Sequence, residues 1–115
     1  MNLNRVAFHL SSQIWETVTG WDHFSKNTLG QQFVRAVDSI SANIAERFGR
    51  CGKKDKIKFY RYAFGSTYES LDWNEKTKVR KLTSLKQYQE FYTDLKRMPK
   101  LINTLIKITN TNLST

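Results

Sequence analysis

The stretch SISANIAERFGR, residues 39–50, carries the two patterns that decide the fold. Ile40, Ile44 and Phe48 recur every four residues, which is the spacing of the buried stripe of an α-helix. A second face of the same helix is polar and is formed by Ser39, Asn43, Glu46 and Arg50. The stretch therefore predicts a helix that packs through an apolar stripe and carries a polar ridge beside it.

The polar ridge needs hydrogen-bonding partners, because a buried polar group without one costs stability. The helix predicted next along the chain offers Arg61, Ser66 and Glu69 as donors and acceptors. We interpret the ridge as a polar lock that fixes the register of these two helices. Its members are Ser39, Asn43, Glu46, Ser66 and Glu69. A catalytic Ser–Asn–Glu site is the alternative interpretation.

Apolar residues at steps of three and four predict four helices along the chain. Their ranges are 3–22, 28–48, 54–80 and 84–109. The connections between them are short, and neither a strand alternation nor an internal repeat occurs. The sequence therefore predicts one all-α domain over residues 1–115, an antiparallel up-down four-helix bundle.

Several local signals refine this prediction. Asn27 or Thr28 is expected to cap the second helix, and Ser84 with Gln87 forms a capping-box pattern at the fourth. The pair Gly65–Ser66 predicts a close approach to another helix, at Ala42 and Ala45. The third helix is expected to be buried through Phe59, Tyr62, Ala63, Ser66, Ser70 and Trp73. The fourth helix is expected to be buried through Tyr88, Phe91, Leu95, Met98, Ile102, Leu105 and Thr109. A kink is expected in the fourth helix at Pro99.

Large side chains outside the main stripes predict a partner surface. They are Trp15, Tyr60, Phe64, Tyr92 and Leu101. A single four-helix core cannot cover all of them, so we expect a homo-oligomer.

Positive charge is the strongest signal in the composition. Nineteen Lys and Arg against ten Asp and Glu give a net charge of +9, as expected of a protein that meets nucleic acid or another polyanion. One basic cluster is formed by Arg47, Arg50, Lys53, Lys54, Lys56, Lys58 and Arg61. A second cluster contains Lys76, Lys78, Arg80, Lys81 and Lys86. Residues 1–34 are almost balanced, so the positive field is expected at one end or face of the molecule.

The residues that carry enzymatic chemistry are sparse. His9 and His23 lack the spacing of a helical metal pair, and Cys51 has no positioned base, so we expect no enzyme, metal or cofactor. No apolar run approaches the roughly 20 residues that cross a bilayer, and the N-terminus does not resemble a signal peptide. One cysteine excludes an internal disulfide. We expect a cytoplasmic protein without a membrane partner.

QQFVRAVDSISANIAERFGR, followed by KKDKIKFYRYAFGSTYES, resembles the four-helix bundle proteins encoded in intervening sequences of bacterial 23S rRNA genes, the S23 ribosomal protein family. The positions that carry the resemblance are Gln32, Arg35, Ala36, Ser39, Ile40, Asn43, Ile44, Ala45, Glu46, Gly49, Arg50, Phe59, Ala63, Gly65, Ser66 and Glu69. Arg47 stands where the family usually has glycine, and Ser41 stands where proline is common.

The resemblance implies partners as well as a fold. The same family includes the accessory variability determinant of diversity-generating retroelements, a basic homopentamer that binds a reverse transcriptase and nucleic acid. The resemblance therefore implies that this chain forms a pentamer with basic surfaces and has no catalytic activity of its own. A reverse transcriptase is an expected partner only in the retroelement branch.

Two hypotheses of function remain open. In the first, an oligomer binds structured RNA or an RNA–DNA hybrid, and phosphates contact Arg47, Arg50, Lys53, Lys54, Lys56, Lys58 and Arg61, with Lys78, Arg80 and Lys81 as a second patch. Tyr60 or Tyr62 is a candidate for stacking on a base, although Tyr62 is expected in the core. In the second, the protein is an adaptor that docks on a reverse transcriptase or ribosomal component without binding nucleic acid alone.

Overall fold

The computed structural model describes residues 2–46 and 52–112, and nearly all of these residues are helical. Five α-helices and one π-helical turn follow one another: α1 (Leu3–Thr19), α2 (His23–Ser25), the π-helical turn (Lys26–Gly30), α3 (Gln31–Glu46), α4 (Lys53–Val79) and α5 (Leu85–Asn112). No strand occurs in the part of the chain just named. The all-helical prediction is therefore confirmed.

The long helices pack in the ring order α1, α3, α4, α5, and α5 closes the ring on α1. The molecule measures 49 × 22 × 19 Å, and a helix as long as α5 spans about 42 Å, so the helices run along the long dimension. Near the start of α4, Lys53 Nζ donates to the carbonyl of Asn110 at 3.4 Å. Near its end, Asn74 Nδ2 donates to the carbonyl of Tyr88 at 3.2 Å. The two helices are therefore antiparallel, and the arrangement is consistent with the predicted four-helix bundle.

The core is formed mainly by apolar side chains from α1, α3 and α5, and is completed by Leu29 of the π-helical turn and by Tyr60 and Ala63 of α4. On α5 the predicted seam is buried at Phe91, Leu95, Met98, Ile102 and Thr109, while Tyr88 and Leu105 are half-buried. The Phe91 ring packs edge to face on Phe33 of α3, with 6.3 Å between the ring centroids. This seam fixes which side of α5 faces the bundle.

Helix α4 shares only Ala63 and Ser70 with the buried set predicted for it. The core side carries Tyr60, Ala63, Thr67, Ser70, Asn74 and Thr77. Tyr60, considered above for base stacking, is only 2% exposed, whereas Tyr62, expected in the core, is 51% exposed. Apolar periodicity does not reveal this side of α4, because several of its buried residues are polar and bond their hydroxyls to backbone carbonyls one turn earlier. Thr67 Oγ1, for example, donates to the carbonyl oxygen of Ala63 at 2.8 Å. A polar residue bonded in this way is buried at little cost.

The second bundle helix begins earlier than predicted, at α2. Asp22 caps it, since its Oδ2 accepts a hydrogen bond from the Ser25 backbone N–H at 3.1 Å. Thr28, a predicted cap, lies inside the helical segment, and its hydroxyl donates to the carbonyl of Phe24 at 2.7 Å. Gly30 ends the π-helical turn against α1, where a Cβ would stand 2.7 Å from Val18 Cγ1. Glycine therefore permits the close approach of these two segments.

The turn between α4 and α5 is closed by backbone and side-chain caps. The Leu82 N–H donates to the carbonyl of Thr77 at 2.9 Å and the Lys81 N–H to that of Lys78 at 3.1 Å, which is the Schellman pattern. Lys81 takes the left-handed conformation with φ 58°. The predicted capping box follows at the start of α5, with reciprocal bonds between Ser84 and Gln87 of 3.0 and 3.1 Å. Helix α5 then runs through Pro99 to its end.

The close approach predicted for the pair Gly65–Ser66 occurs at Ser66, which bonds Ser39 of α3 at 2.9 Å, and is wrong for Gly65. A Cβ at this position would meet no atom within 4 Å, and Gly65, Ala42 and Ala45 are all exposed. These three residues therefore face outward from the bundle.

Candidate nucleic-acid interface

Charge is divided sharply between the two sides of the bundle. Residues 2–46 contain three Lys and Arg against four Asp and Glu, a net charge of −1. Residues 53–112 contain fourteen Lys and Arg against six Asp and Glu, a net charge of +8. Because α4 and α5 are neighbours in the ring, the positive charge lies on one side of the molecule.

The highest density of positive charge lies where the first half of α4 packs beside the second half of α5. No Asp or Glu follows Asp94 in the sequence, and Asp55 is the only acid between residues 53 and 68. We call this region the basic surface. It consists of Lys53, Lys54, Lys56, Lys58, Arg61, Lys96, Lys100 and Lys107.

The cations of α4 keep their charge available to solvent. Lys54, Lys58 and Arg61 are exposed, and Lys53 and Lys56 are half-buried at the start of the helix. Lys58 Nζ lies 5.8 Å from the centroid of the Tyr62 ring. Within residues 2–46 and 52–112, none of these five cations forms an ion pair with a carboxylate. The basic surface can therefore accept an anionic ligand without first breaking an internal pair.

The predicted second patch lies at the opposite end of α4. Lys78 stands 25 positions after Lys53, which corresponds to about 37 Å along the helix. Lys78 Nζ lies 4.8 Å from the Tyr88 ring centroid, while Arg80 and Lys81 are exposed in the turn. The sequence predicts the positive charge at one end or on one face, and the structure shows one face, since the two clusters occupy both ends of the same side.

Two of the predicted phosphate contacts, Arg47 and Arg50, lie outside the described residues, as do Phe48, Gly49 and Cys51.

Sequence reasoning missed a basic groove between α4 and α5. Its volume is about 430 Å³, and it is lined by Tyr68, Leu71, Lys96, Pro99, Lys100, Asn103, Thr104 and Lys107. Tyr68 is 53% exposed. The signal was present in the sequence, because the three lysines recur at intervals of four and seven on an acid-free segment, a spacing that places them on one side of a helix.

The residues of the predicted polar lock are only partly brought together. Ser66 Oγ donates to Ser39 Oγ at 2.9 Å, which joins α4 to α3. Asn43 Nδ2 donates to the Ser39 carbonyl at 2.8 Å and lies 3.1 Å from its hydroxyl. Glu69 accepts a bond of 3.2 Å from Trp73 Nε1 within α4, and Glu46 is exposed at the end of α3.

The histidines lie apart from this lock. His23 contacts Asn27 Nδ2 at 2.9 Å through Nε2, and His9 is exposed on α1. In the described part of the chain no group of three or more His, Cys, Asp and Glu is placed to hold a metal ion. Nor does any helix there combine the length and apolar character needed to cross a membrane.

Comparison with known proteins identifies the fold and the family. A structure from Bacteroides thetaiotaomicron VPI-5482, described as a protein of unknown function from the S23 ribosomal protein family, superimposes with a TM-score of 0.80. The alignment covers 90% of this chain and 97% of that one at 22% identity, which supports the shared fold. A search of curated proteins finds no match. The model of the 23S rRNA-intervening sequence protein family matches residues 1–104. The chain therefore belongs to the family of 23S rRNA-intervening sequence proteins.

Proposed function

We propose that this chain is a cytosolic, non-enzymatic accessory protein that binds nucleic acid through the basic surface. The observation that carries the proposal is the charge division: a net +8 over residues 53–112 beside a net −1 over residues 2–46. Structured RNA or an RNA–DNA hybrid is the proposed ligand, in keeping with a family named for rRNA intervening sequences.

The energetics of such binding follow from counterion release. Each lysine or arginine that neutralises a phosphate frees a condensed cation, so affinity falls steeply as salt rises. Contacts of this kind position the protein and carry no sequence information by themselves. In the proposal, Lys53, Lys54, Lys56, Lys58 and Arg61 contact phosphates, and Arg47 and Arg50 add to them from the segment before α4. Lys78, Arg80 and Lys81 form a separate contact zone at the other end of α4.

Self-association is part of the proposal. Trp15 is 58% exposed on α1, and Phe8 on the same helix and Phe24 on α2 are 68% and 75% exposed. Apolar exposure of this extent, on the side of the bundle that carries little charge, favours contact between protomers. A homopentamer is the state that the family resemblance implies.

Charge reversal on the two sides of the bundle tests the proposal. The test variant is Lys54→Glu/Lys58→Glu/Arg61→Glu, all three exposed on α4. The matched control is Arg5→Glu/Lys26→Glu/Arg35→Glu, which reverses every basic residue of residues 2–46 and changes net charge by the same amount. We expect the first variant to lose binding to structured RNA and the control to retain most of it. Equal loss in both would mean that net charge alone, and not the basic surface, drives binding.

The second candidate function is that of an adaptor. Here the charge steers association with a reverse transcriptase or ribosomal component, and the exposed aromatics supply the contact. The purified protein would then show no affinity for RNA or duplex DNA even at low salt. That result would contradict the first proposal and favour a protein partner.

A further inference from the structure

We propose that the groove between α4 and α5 holds a single-stranded segment of the nucleic acid, with Tyr68 stacked on an unpaired base. This inference rests on the proposed function and adds a preference for unpaired over paired nucleic acid. In this groove a row of lysines runs beside an exposed aromatic ring.

The lysine row matches a backbone that follows the groove. Lys96, Lys100 and Lys107 are all exposed on one side of α5, and the row extends over about 16 Å. None of them forms an ion pair with a carboxylate among the described residues, although Lys96 Nζ lies 5.9 Å from the Tyr92 ring. Their charges are therefore free to neutralise successive phosphates.

Three acids follow Tyr68 on α4, and each is engaged within the protein; the first, Glu69, accepts a hydrogen bond from Trp73 Nε1 at 3.2 Å. Asp72 Oδ2 binds Lys76 Nζ at 2.6 Å, and Glu75 accepts a hydrogen bond from the hydroxyl of Tyr88. No Asp or Glu lines the groove itself. A phosphate backbone therefore enters it without facing an unpaired carboxylate.

Tyr68 is placed to act as a stacking platform. Its ring packs on Phe64 with 5.1 Å between the centroids, which holds the side chain against α4, and about half of its surface remains open. Exposed Asn103 lies in the same groove and offers both a donor and an acceptor to a base edge.

The geometry favours unpaired nucleic acid for a simple reason. Inside a duplex both faces of each base are covered by its neighbours, so a protein ring can stack only on a base that has left the helix. A lysine row alone would bind duplex and single strand alike. Tyr68 adds an interaction that only the single strand can make.

The test compares a single-stranded RNA without self-complementarity with the duplex that it forms with its complement, both bound to the full chain. Tyr68→Ala is expected to weaken single-strand binding by about fivefold or more and to leave duplex binding within about twofold. Tyr68→Phe keeps the ring and is expected to restore single-strand binding. Tyr62→Ala is the comparison variant: it is a tyrosine of the same helix with 51% exposure, about 120° away around the axis and beside Lys58 of the basic surface, and we expect it to weaken single-strand binding less than Tyr68→Ala does.

Lys100→Gln tests the groove independently if Tyr68→Ala disturbs folding. It is expected to lower the affinity for single-stranded RNA while leaving the Tyr68 ring in place. If Tyr68→Ala and Lys100→Gln leave single-strand binding unchanged while the α4 charge reversals abolish it, the groove assignment is overturned and the proposed function stands. Equal losses for Tyr62→Ala and Tyr68→Ala would also overturn it. Absence of binding to either RNA would overturn both.

Discussion

Ser66 Oγ on α4 donates a hydrogen bond to Ser39 Oγ on α3 at 2.9 Å, and Asn43 Nδ2 lies 3.1 Å from the same Ser39 hydroxyl. Both serines are half-buried. The polar ridge of the second bundle helix thus includes a cross-helix contact. This arrangement supports a structural role for Ser39, because its hydroxyl oxygen is occupied by two donors.

Removing either hydroxyl should lower stability modestly. Ser39→Ala leaves Ser66 without its partner, and we expect the free energy of unfolding to fall by about 1 kcal/mol. Ser66→Ala should cost a similar amount, and the double variant less than the sum, because both single changes remove the same bond. Urea denaturation of the four proteins measures this. Strictly additive losses would show that the two hydroxyls do not interact.

The periodicity of apolar residues predicted α1, α3 and α5 well and predicted α4 poorly, for one physical reason. On α5 the buried positions are largely apolar, so Phe91, Leu95 and Ile102 mark the core directly. On α4 the buried Thr67 and Ser70 satisfy their hydroxyls on backbone carbonyls of the same helix. Residue type alone does not distinguish such positions from solvent-exposed ones.

Asn74 is a sensitive point in this polar core. It is fully buried, its Nδ2 donates to the Tyr88 carbonyl, and its Oδ1 has no hydrogen-bond partner among the described atoms. Asn74→Asp would replace the donor with a buried carboxylate, and we expect a loss of about 3 kcal/mol at neutral pH. Burial would raise the pKa of that carboxyl, so the loss should shrink as pH falls toward the ordinary value of an aspartate. Denaturation at neutral and acidic pH measures the effect, and a pH-independent loss would contradict it.

Tyr88 should titrate at unusually high pH. The hydrogen bond from its hydroxyl to Glu75 raises the pKa of Tyr88 from 10.0 to about 12, with smaller contributions from burial and from the Glu75 charge. The folded form favours the neutral phenol, so this contribution to stability is complete below pH 10 and is lost as pH rises through 12. Residue-resolved NMR titration of the tyrosine rings measures the pKa. Glu75→Gln should return it toward 10, and an unchanged pKa would contradict the assigned cause.

Lys81 is a site where stability and charge oppose each other. Its φ of 58° lies in the left-handed region that costs an L-residue about 1 kcal/mol. Lys81→Gly should therefore raise the free energy of unfolding by about that amount while removing one cation of the second patch. Lys78→Ala is the control for the loss of charge, because it also removes one cation of the second patch but at a residue with helical backbone conformation. A destabilised Lys81→Gly protein would contradict the strain argument.

The part of the basic surface on α4 could be predicted from the sequence, and the part on α5 could not. The run from Lys53 to Arg61 is contiguous in sequence and is visible as a charge cluster. Lys96, Lys100 and Lys107 join it only because α5 returns antiparallel beside α4, which places residues some 40 positions apart in sequence on one surface. The exposure of Tyr68 in that groove depends on the rotation of α4, the feature that apolar periodicity predicted incorrectly.

The most direct test of the central claim is the salt dependence of RNA affinity in a neutralised variant. The logarithm of the association constant for single-stranded RNA is measured against the logarithm of salt concentration for the native protein, for Lys54→Gln/Lys58→Gln/Arg61→Gln, and for Arg5→Gln/Lys26→Gln/Arg35→Gln. Each lost phosphate contact should reduce the magnitude of this slope by about 0.7. The slope of the α4 variant should therefore be smaller than that of the native protein by about 2, and the slope of the Arg5/Lys26/Arg35 variant should equal the native slope. Identical slopes for all three proteins would contradict phosphate binding by the basic surface.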